Sequence, residues 1–449
     1  MTAPARPSVA DPKPWSFPTG TDHVLDNGMR VIVDRLPGQK VISATLVLDV
    51  PLSVEGRDNE GVATIACRCL DEGTEAHPGQ TFAEALEAEG AGFGIDVTLA
   101  GLQLVLDVPA SRLDRALPLF AEAVRTPTLD ASDVDRHVQL RLAEIEQSRA
   151  NSAQLASITF RSTMFTPESR ASRMNGGEPE TVSAVTAEAV RAFHRGQVDP
   201  VRMTLAIGGD FAGDPLSTVE AAFGDWPGAG PDRPAHQVAG SGPRRTMIIH
   251  RPDAVQADIR FGGRGIDRRD PRWAATTVAS YAMGGAFLSR LNSVLREERG
   301  YTYGVSLAFS PMRTGGTFAV QGSFRTDVVA AALTEASALL DISGKPFTAE
   351  EVLNAQRFFT GVSPLRYATA DGVVDQRATQ LLADLPADYV DRNLAALRAV
   401  TPDSASQAYT EIVSVPDLTL VVVGDADALA DPLRAAGFPD LEVVAQQAR

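Results

Sequence analysis

"LTLVVVGDA", Leu418–Ala426, is an apolar run closed by Gly-Asp. Its β-branched residues and its turn signal read as a buried strand. A second run, "MTLAIGGDF", Met203–Phe211, closes in the same way. Each is preceded by a helical segment headed by Thr: "VSAVTAEAV", Val182–Val190, and "LRAVTPDSA", Leu397–Ala405. Thr186 and Thr401 are 215 residues apart, as are Asp210 and Asp425, and Pro37 and Pro252. One offset kept at three places along the chain implies an internal duplication.

Each half repeats one order of elements. Strands open it ("MRVIVDRL" and "ISATLVLDV"; "RTMIIHR" and "ADIRFGG"), a helix follows, and long strands come next ("GLQLVLDVP"; "GTFAVQGSF"). Amphipathic helices and the Gly-Asp strand close it. Blocks of strands and helices without strict alternation predict an α+β fold, each half a mainly antiparallel sheet packed by helices. The Pro- and Gly-dense stretch 226–245 reads as a linker. The expected organisation is a flexible arm over 1–24, a first domain over 25–225, the linker, and a second domain over 246–449.

Composition bounds the function. A chain of 449 residues with net charge −16 lacks the basic face that nucleic acid requires. Cys67 and Cys69 are the only cysteines, two apart on one predicted helix and poorly placed to pair. They fit a reducing compartment. With no apolar signal segment at the start and no run long enough to span a bilayer, a cytoplasmic protein with no membrane partner is the expectation.

The predicted helix is "GVATIACRCLDEGT", Gly61–Thr74. Val62, Ile65, Ala66, Cys69 and Leu70 make an apolar stripe at helical period, with Thr64, Cys67, Arg68 and Asp71 opposite. Together with "LDNGMRVIV", "PDAVQADIRFG" and "MGGAFLSRLNSVLREERGYTYGV", this segment resembles the pitrilysin or insulinase-type zinc metallopeptidases, in particular the short-chain branch that includes the mitochondrial processing peptidase. The resemblance covers about Leu25 to Ala428 and implies two clam-like halves. In that family an inverted HxxEH motif on this helix binds zinc, and its Glu activates water. Here Thr64 and Arg68 stand at the His positions and Cys67 at the Glu position. Arg68 has no lone pair and is always cationic, so the motif reads as lost. Glu144 in "RLAEIEQSR" matches the third-ligand position but reads as an orphan carboxylate. The six histidines are scattered without ligand spacing. The segment "GAGFGIDVTLAG", where the family's substrate backbone pairs with an edge strand, is altered as well.

The second half keeps Arg296 and, seven residues on, Tyr303 in "LREERGYTYG". The resemblance implies that such a pair reaches a zinc site across the chamber, the Arg holding substrate and the Tyr stabilising an oxyanion. The implied function is the non-zinc subunit of a heterodimeric peptidase, with peptide as substrate, no cofactor in this chain, and zinc in an HxxEH-bearing partner. Leader-peptide processing is one such role. Two other classes are an inert structural or peptide-binding homologue and a stand-alone Cys67 nucleophile. The last lacks a histidine placed to act as base.

Overall fold

The computed structural model describes residues 14–228 and 233–445. The first sheet holds β1 (Thr21–Val24), β2 (Arg30–Arg35), β3 (Val41–Leu48), β4 (Gly92–Val97), β5 (Leu102–Pro109) and β6 (Met203–Gly209), in the order β1-β2-β6-β3-β5-β4. The second holds β7 (Thr246–His250), β8 (Gln256–Gly265), β9 (Val305–Pro311), β10 (Gly316–Arg325), β11 (Thr419–Gly424) and β12 (Leu441–Ala445), in the order β12-β7-β11-β8-β10-β9. Strands β2 to β6 and β7 to β11 occupy matching places, so the duplication read from the sequence is one of structure. The fold is α+β with two homologous domains. Most pairings are antiparallel, but β2–β6, β7–β11 and β7–β12 are parallel, so both sheets are mixed.

The Gly-Asp strands are buried at every residue, which requires cover on both faces. Leu420 and Val422 enter the core of the second domain, whereas Val421 and Val423 pack with Phe160 and Met164. Those two residues lie on the helix Ser152–Met164, which belongs to the first domain. In return the second domain's helix Ala370–Leu382 lies on the first sheet, where Ala378 and Leu382 cover Val47. Each half therefore lends one helix to the other's sheet. An apolar run with both faces covered is what long-range packing of this kind demands.

A buried ion pair joins the halves at the same place. Arg377 donates to both oxygens of Asp34, from Nε at 3.1 Å and from Nη2 at 3.0 Å, and to the carbonyls of Pro18 and Ala387. The segment read as an arm contributes more than its Pro-rich composition suggests. Its last residues form β1, and Trp15 stacks on Tyr367 of the second domain while Phe17 meets that ring edge-on. Residues 1–13 lie outside the described residues. So do residues 229–232 of the expected linker, whose later part pairs with the first domain at Phe165↔Ser241.

Candidate functional site

The helix predicted to run from Gly61 to Gly73 is shorter, Val62–Arg68: Cys69 still bonds the Ile65 carbonyl, but Leu70 N–H turns to the Cys67 carbonyl, three residues back. Gly61 precedes it with φ 105°, a conformation that glycine adopts without strain. The helix is buried on nearly all sides. Its first turn is held by Glu55, whose Oε1 accepts from the backbone N–H of Gly61 and of Ala63, both at 3.0 Å. Arg170 donates to the other oxygen of Glu55 at 2.9 and 3.1 Å. Burial pushes the Glu55 carboxyl above its usual range despite these bonds.

Arg68 and Glu144 meet. Arg68 donates from Nη1 to Oε1 at 2.8 Å and from Nη2 to Oε2 at 3.0 Å, a bidentate pair. Arg141, one turn before Glu144, adds a bond to Oε2 at 3.1 Å and donates from Nε to the Gly176 carbonyl. Partial burial works to raise the Glu144 carboxyl, but the two guanidiniums hold it below the usual carboxylate range. Glu144, read as lacking fellow zinc ligands, has a structural role here as the ion-pair partner of Arg68 and Arg141.

Thr64 also lines this site, a cavity of ≈280 Å³ shared with Arg68, Arg141, Asn175 and the end of β4. Its Oγ1 is buried with no hydrogen-bond partner among the described residues. Cys67, placed by spacing on the polar face, instead faces apolar side chains including Leu48, Leu102 and Phe193. Burial, with smaller contributions from Glu55 and Cys69, pushes its thiol up to about 12. Such a thiol is neutral at pH 7, neither nucleophile nor metal ligand.

The donor set does not fit zinc. A tetrahedral site needs three or four lone-pair donors around one point. Here one carboxylate is occupied by two guanidiniums, and a dication beside them would meet repulsion of several kcal/mol. Among the described residues, the one group of three candidate donors is His250, Asp425 and Asp427 in the second domain. There His250 Nδ1 already accepts from the Ala426 N–H at 3.0 Å. The remaining histidines are held by Glu122, Glu72, Val124 O and Asp49, apart from His23, which contacts only Thr21.

Arg296 lies in the helical stretch after Ser289, and Tyr303 in the loop before β9. The guanidinium of Arg296 packs over the Phe287 ring at 3.7 Å, donates to the Phe287 carbonyl at 3.0 Å and bonds Glu297. Tyr303 is 97% exposed, and Phe287 and Leu288 are exposed as well. No hydrogen bond, ion pair or ring contact among the described residues joins either residue to Arg68 or Glu144. Gly284 lets β9 approach this stretch closely: a Cβ there would lie 2.3 Å from the backbone nitrogen of Leu307 in β9. The sequence reading missed Arg141, Asn175 and the Glu55–Arg170 support. Only Arg141 carried a signal, one turn ahead of Glu144 on a predicted helix.

Two homologous α+β domains with this degenerate helix in the first define a protein of the peptidase M16 class. Residues 30–172 match the family model described as Insulinase (Peptidase family M16), and residues 184–359 match that of the Peptidase M16 inactive domain. The chain belongs to the M16 family. It is similar to an uncharacterised zinc protease of Streptomyces coelicolor, 26% identical and covering 88% of each chain. It is also similar to a non-peptidase homologue of Helicobacter pylori, 22% identical over 83% of this chain and 86% of the relative. Its fold matches the crystal structure of a peptidase M16 inactive domain from Pseudomonas fluorescens, with TM-score 0.84, 23% identity, and 91% and 98% of the two chains covered. No helix among the described residues is long and apolar enough to cross a membrane.

Proposed function

We propose that this chain is the non-zinc subunit of a heterodimeric M16 peptidase. It completes the active site of an HxxEH-bearing partner, which supplies the zinc, and acts on peptides, with leader-peptide processing as a suitable role. The observation that carries this reading is the contrast between its two candidate sites. Arg68 and Glu144 satisfy each other, whereas Tyr303 stands 97% exposed with no bond to its hydroxyl among the described residues. A folded chain gains nothing from an aromatic held in that way, but a phenol O–H presented outward can donate to an oxyanion on another chain. Arg296, stiffened by the Phe287 ring and carbonyl, can hold a substrate carbonyl or carboxylate beside it. The apolar surface at Phe287 and Leu288 suits burial against a partner subunit. Two free cysteines accord with a cytoplasmic setting.

The test is reconstitution with an HxxEH-bearing homologue from the same genome. The mixture is expected to elute at about twice the single-chain mass and to cleave a quenched peptide that neither chain cleaves alone. Tyr303→Phe is expected to lower kcat by about 10²–10³ with KM little changed. A partner fully active without this chain would overturn the proposal. The second reading, a catalytically inert structural or peptide-binding homologue, draws on the non-peptidase name of the Helicobacter relative. It expects Tyr303→Phe and Tyr301→Phe to behave alike.

A further inference from the structure

The cavity beside Arg68 is not used by the Arg296–Tyr303 role. It encloses ≈280 Å³. Two guanidiniums face it and share one carboxylate, that of Glu144. Each guanidinium keeps N–H donors beyond those given to Glu144 and Gly176. Thr64 adds a buried hydroxyl with no partner among the described residues. The other carboxylate on the rim, Asp96, accepts from Gln103 Nε2 at 3.3 Å. A desolvated hydroxyl and spare guanidinium donors around one space call for an acceptor with negative charge. The adjoining strand β4 is the outer strand of its sheet. Its outer backbone edge can pair with an extended chain before Val97, whose carbonyl already accepts from Asn175 Nδ2 at 3.0 Å. Asp96 and Asn175 also line a second cavity of ≈480 Å³ between the domains, giving such a chain somewhere to continue.

We propose that this cavity binds a peptide carboxylate, either the C-terminal group of an extended peptide or an Asp or Glu side chain. The inference rests on the reading of the chain as one wall of a peptide-handling pair. It assigns a ligand to the lost zinc position: fixed cations where the family holds a metal ion, and so an anion in place of the metal's substrate contacts. Thr64, Arg68 and Arg141 donate to the carboxylate, while Glu144 keeps the two guanidiniums in place.

The experiment uses the full chain alone, immobilised, with three pools of random decapeptides. One pool has free C-termini and no acidic residues, one has amidated C-termini and no acidic residues, and one is amidated with a single Glu. Retained peptides are quantified by mass spectrometry. At least one carboxylate-bearing pool is expected to exceed the amidated acid-free pool by about tenfold, the scale of a charge-assisted bidentate contact. The first and third pools distinguish the two sources. The chain's net charge of −16 opposes non-specific capture of acidic peptides. Arg68→Gln and Arg141→Gln are expected to bring the pools to parity, with Thr64→Val lowering retention severalfold. Melting curves identify any variant that fails to fold, and Thr64→Val, nearly isosteric, then decides. Equal retention of all three pools by the wild-type chain overturns the proposal, as does a preference that survives in every folded variant. Since the measurement involves neither partner nor hydrolysis, it fails or succeeds separately from reconstitution.

Discussion

Replacing Asp34 by Ala tests what holds the two domains together. Its side chain is fully buried, and that of Arg377 is 5% exposed. The substitution removes both carboxylate bonds to the guanidinium and leaves its charge inside the protein. Breaking one side of a buried pair costs about 3–5 kcal/mol, because the stranded charge is uncompensated. Two features place the cost near the lower end. Arg377 keeps the carbonyls of Pro18 and Ala387, and its guanidinium lies 4.7 Å from the Phe17 ring centroid. If the chain melts as one unit of 449 residues, about 3 kcal/mol against an unfolding entropy of roughly 2.1 cal/mol/K per residue lowers Tm by about 3 °C. If the domains separate first, the smaller unit gives a shift about twice as large. Scanning calorimetry distinguishes these, since separation splits one transition into two. The double variant Asp34→Leu/Arg377→Met should recover most of the loss, as an apolar pair of similar volume needs no compensation. An Asp34→Ala chain that melts within 1 °C of wild type, in one unchanged transition, would refute the assignment of this pair as the bond between domains.

Three further outcomes are expected. In the reconstituted pair, Arg296→Ala should raise KM more than it lowers kcat, because a substrate-holding group acts in the ground state as well, and Tyr301→Phe should be near neutral in steady-state kinetics. Cys67 should resist iodoacetamide in the native chain at pH 8 and react only after denaturation, since its thiol is buried and pushed up to about 12. The lowered Glu144 carboxyl contributes stability above the ordinary glutamate range, and that contribution is lost as pH falls through its lowered value. Glu144→Gln should therefore flatten the acid limb of a stability profile followed by urea unfolding.

The duplication was legible because it is written in strands. The fixed offset links β3 to β8 and β6 to β11, and period-two patterns such as Leu102, Leu104, Leu106 and Val108 show which face of β5 is inward. The cause of the unbroken burial of β6 and β11 was not legible. It comes from helices of the opposite domain, and no local window records a partner more than 150 residues away. The same limit hid the anchoring of Trp15 and Phe17 on Tyr367. Cys67 shows a different failure. A helical wheel assigns one buried face, but this helix is enclosed by a sheet and by other helices, so its second face is apolar too. At the zinc position the residues were read singly, and each looked unfit. Their pairing was implicit in the family's geometry, since side chains that reach one ion must lie near enough to reach each other.

That pairing separates a repaired site from a decayed one. Had the histidine at position 68 been lost to a small residue, Glu144 would remain near a cavity with only Arg141 beside it. Arg68 instead matches both carboxylate oxygens at 2.8 and 3.0 Å, and the Glu55–Arg170 support beneath the helix is intact. Arg68 thus gives Glu144 a fixed cationic partner, and the helix keeps its packing. Folding accounts for Arg68, Glu144, Glu55 and Arg170, since each satisfies another buried or half-buried group. It does not account for Tyr303, whose ring is exposed and whose hydroxyl bonds nothing among the described residues. A residue without a role in its own fold is where the chemistry of a partner is to be sought. A test of that division needs no activity: Tyr303→Ala should leave the melting temperature of the isolated chain unchanged within about 1 °C, whereas Arg68→Ala should lower it. Equal losses from both would place Tyr303 among the structural residues and remove the ground for assigning it to an active site shared between chains.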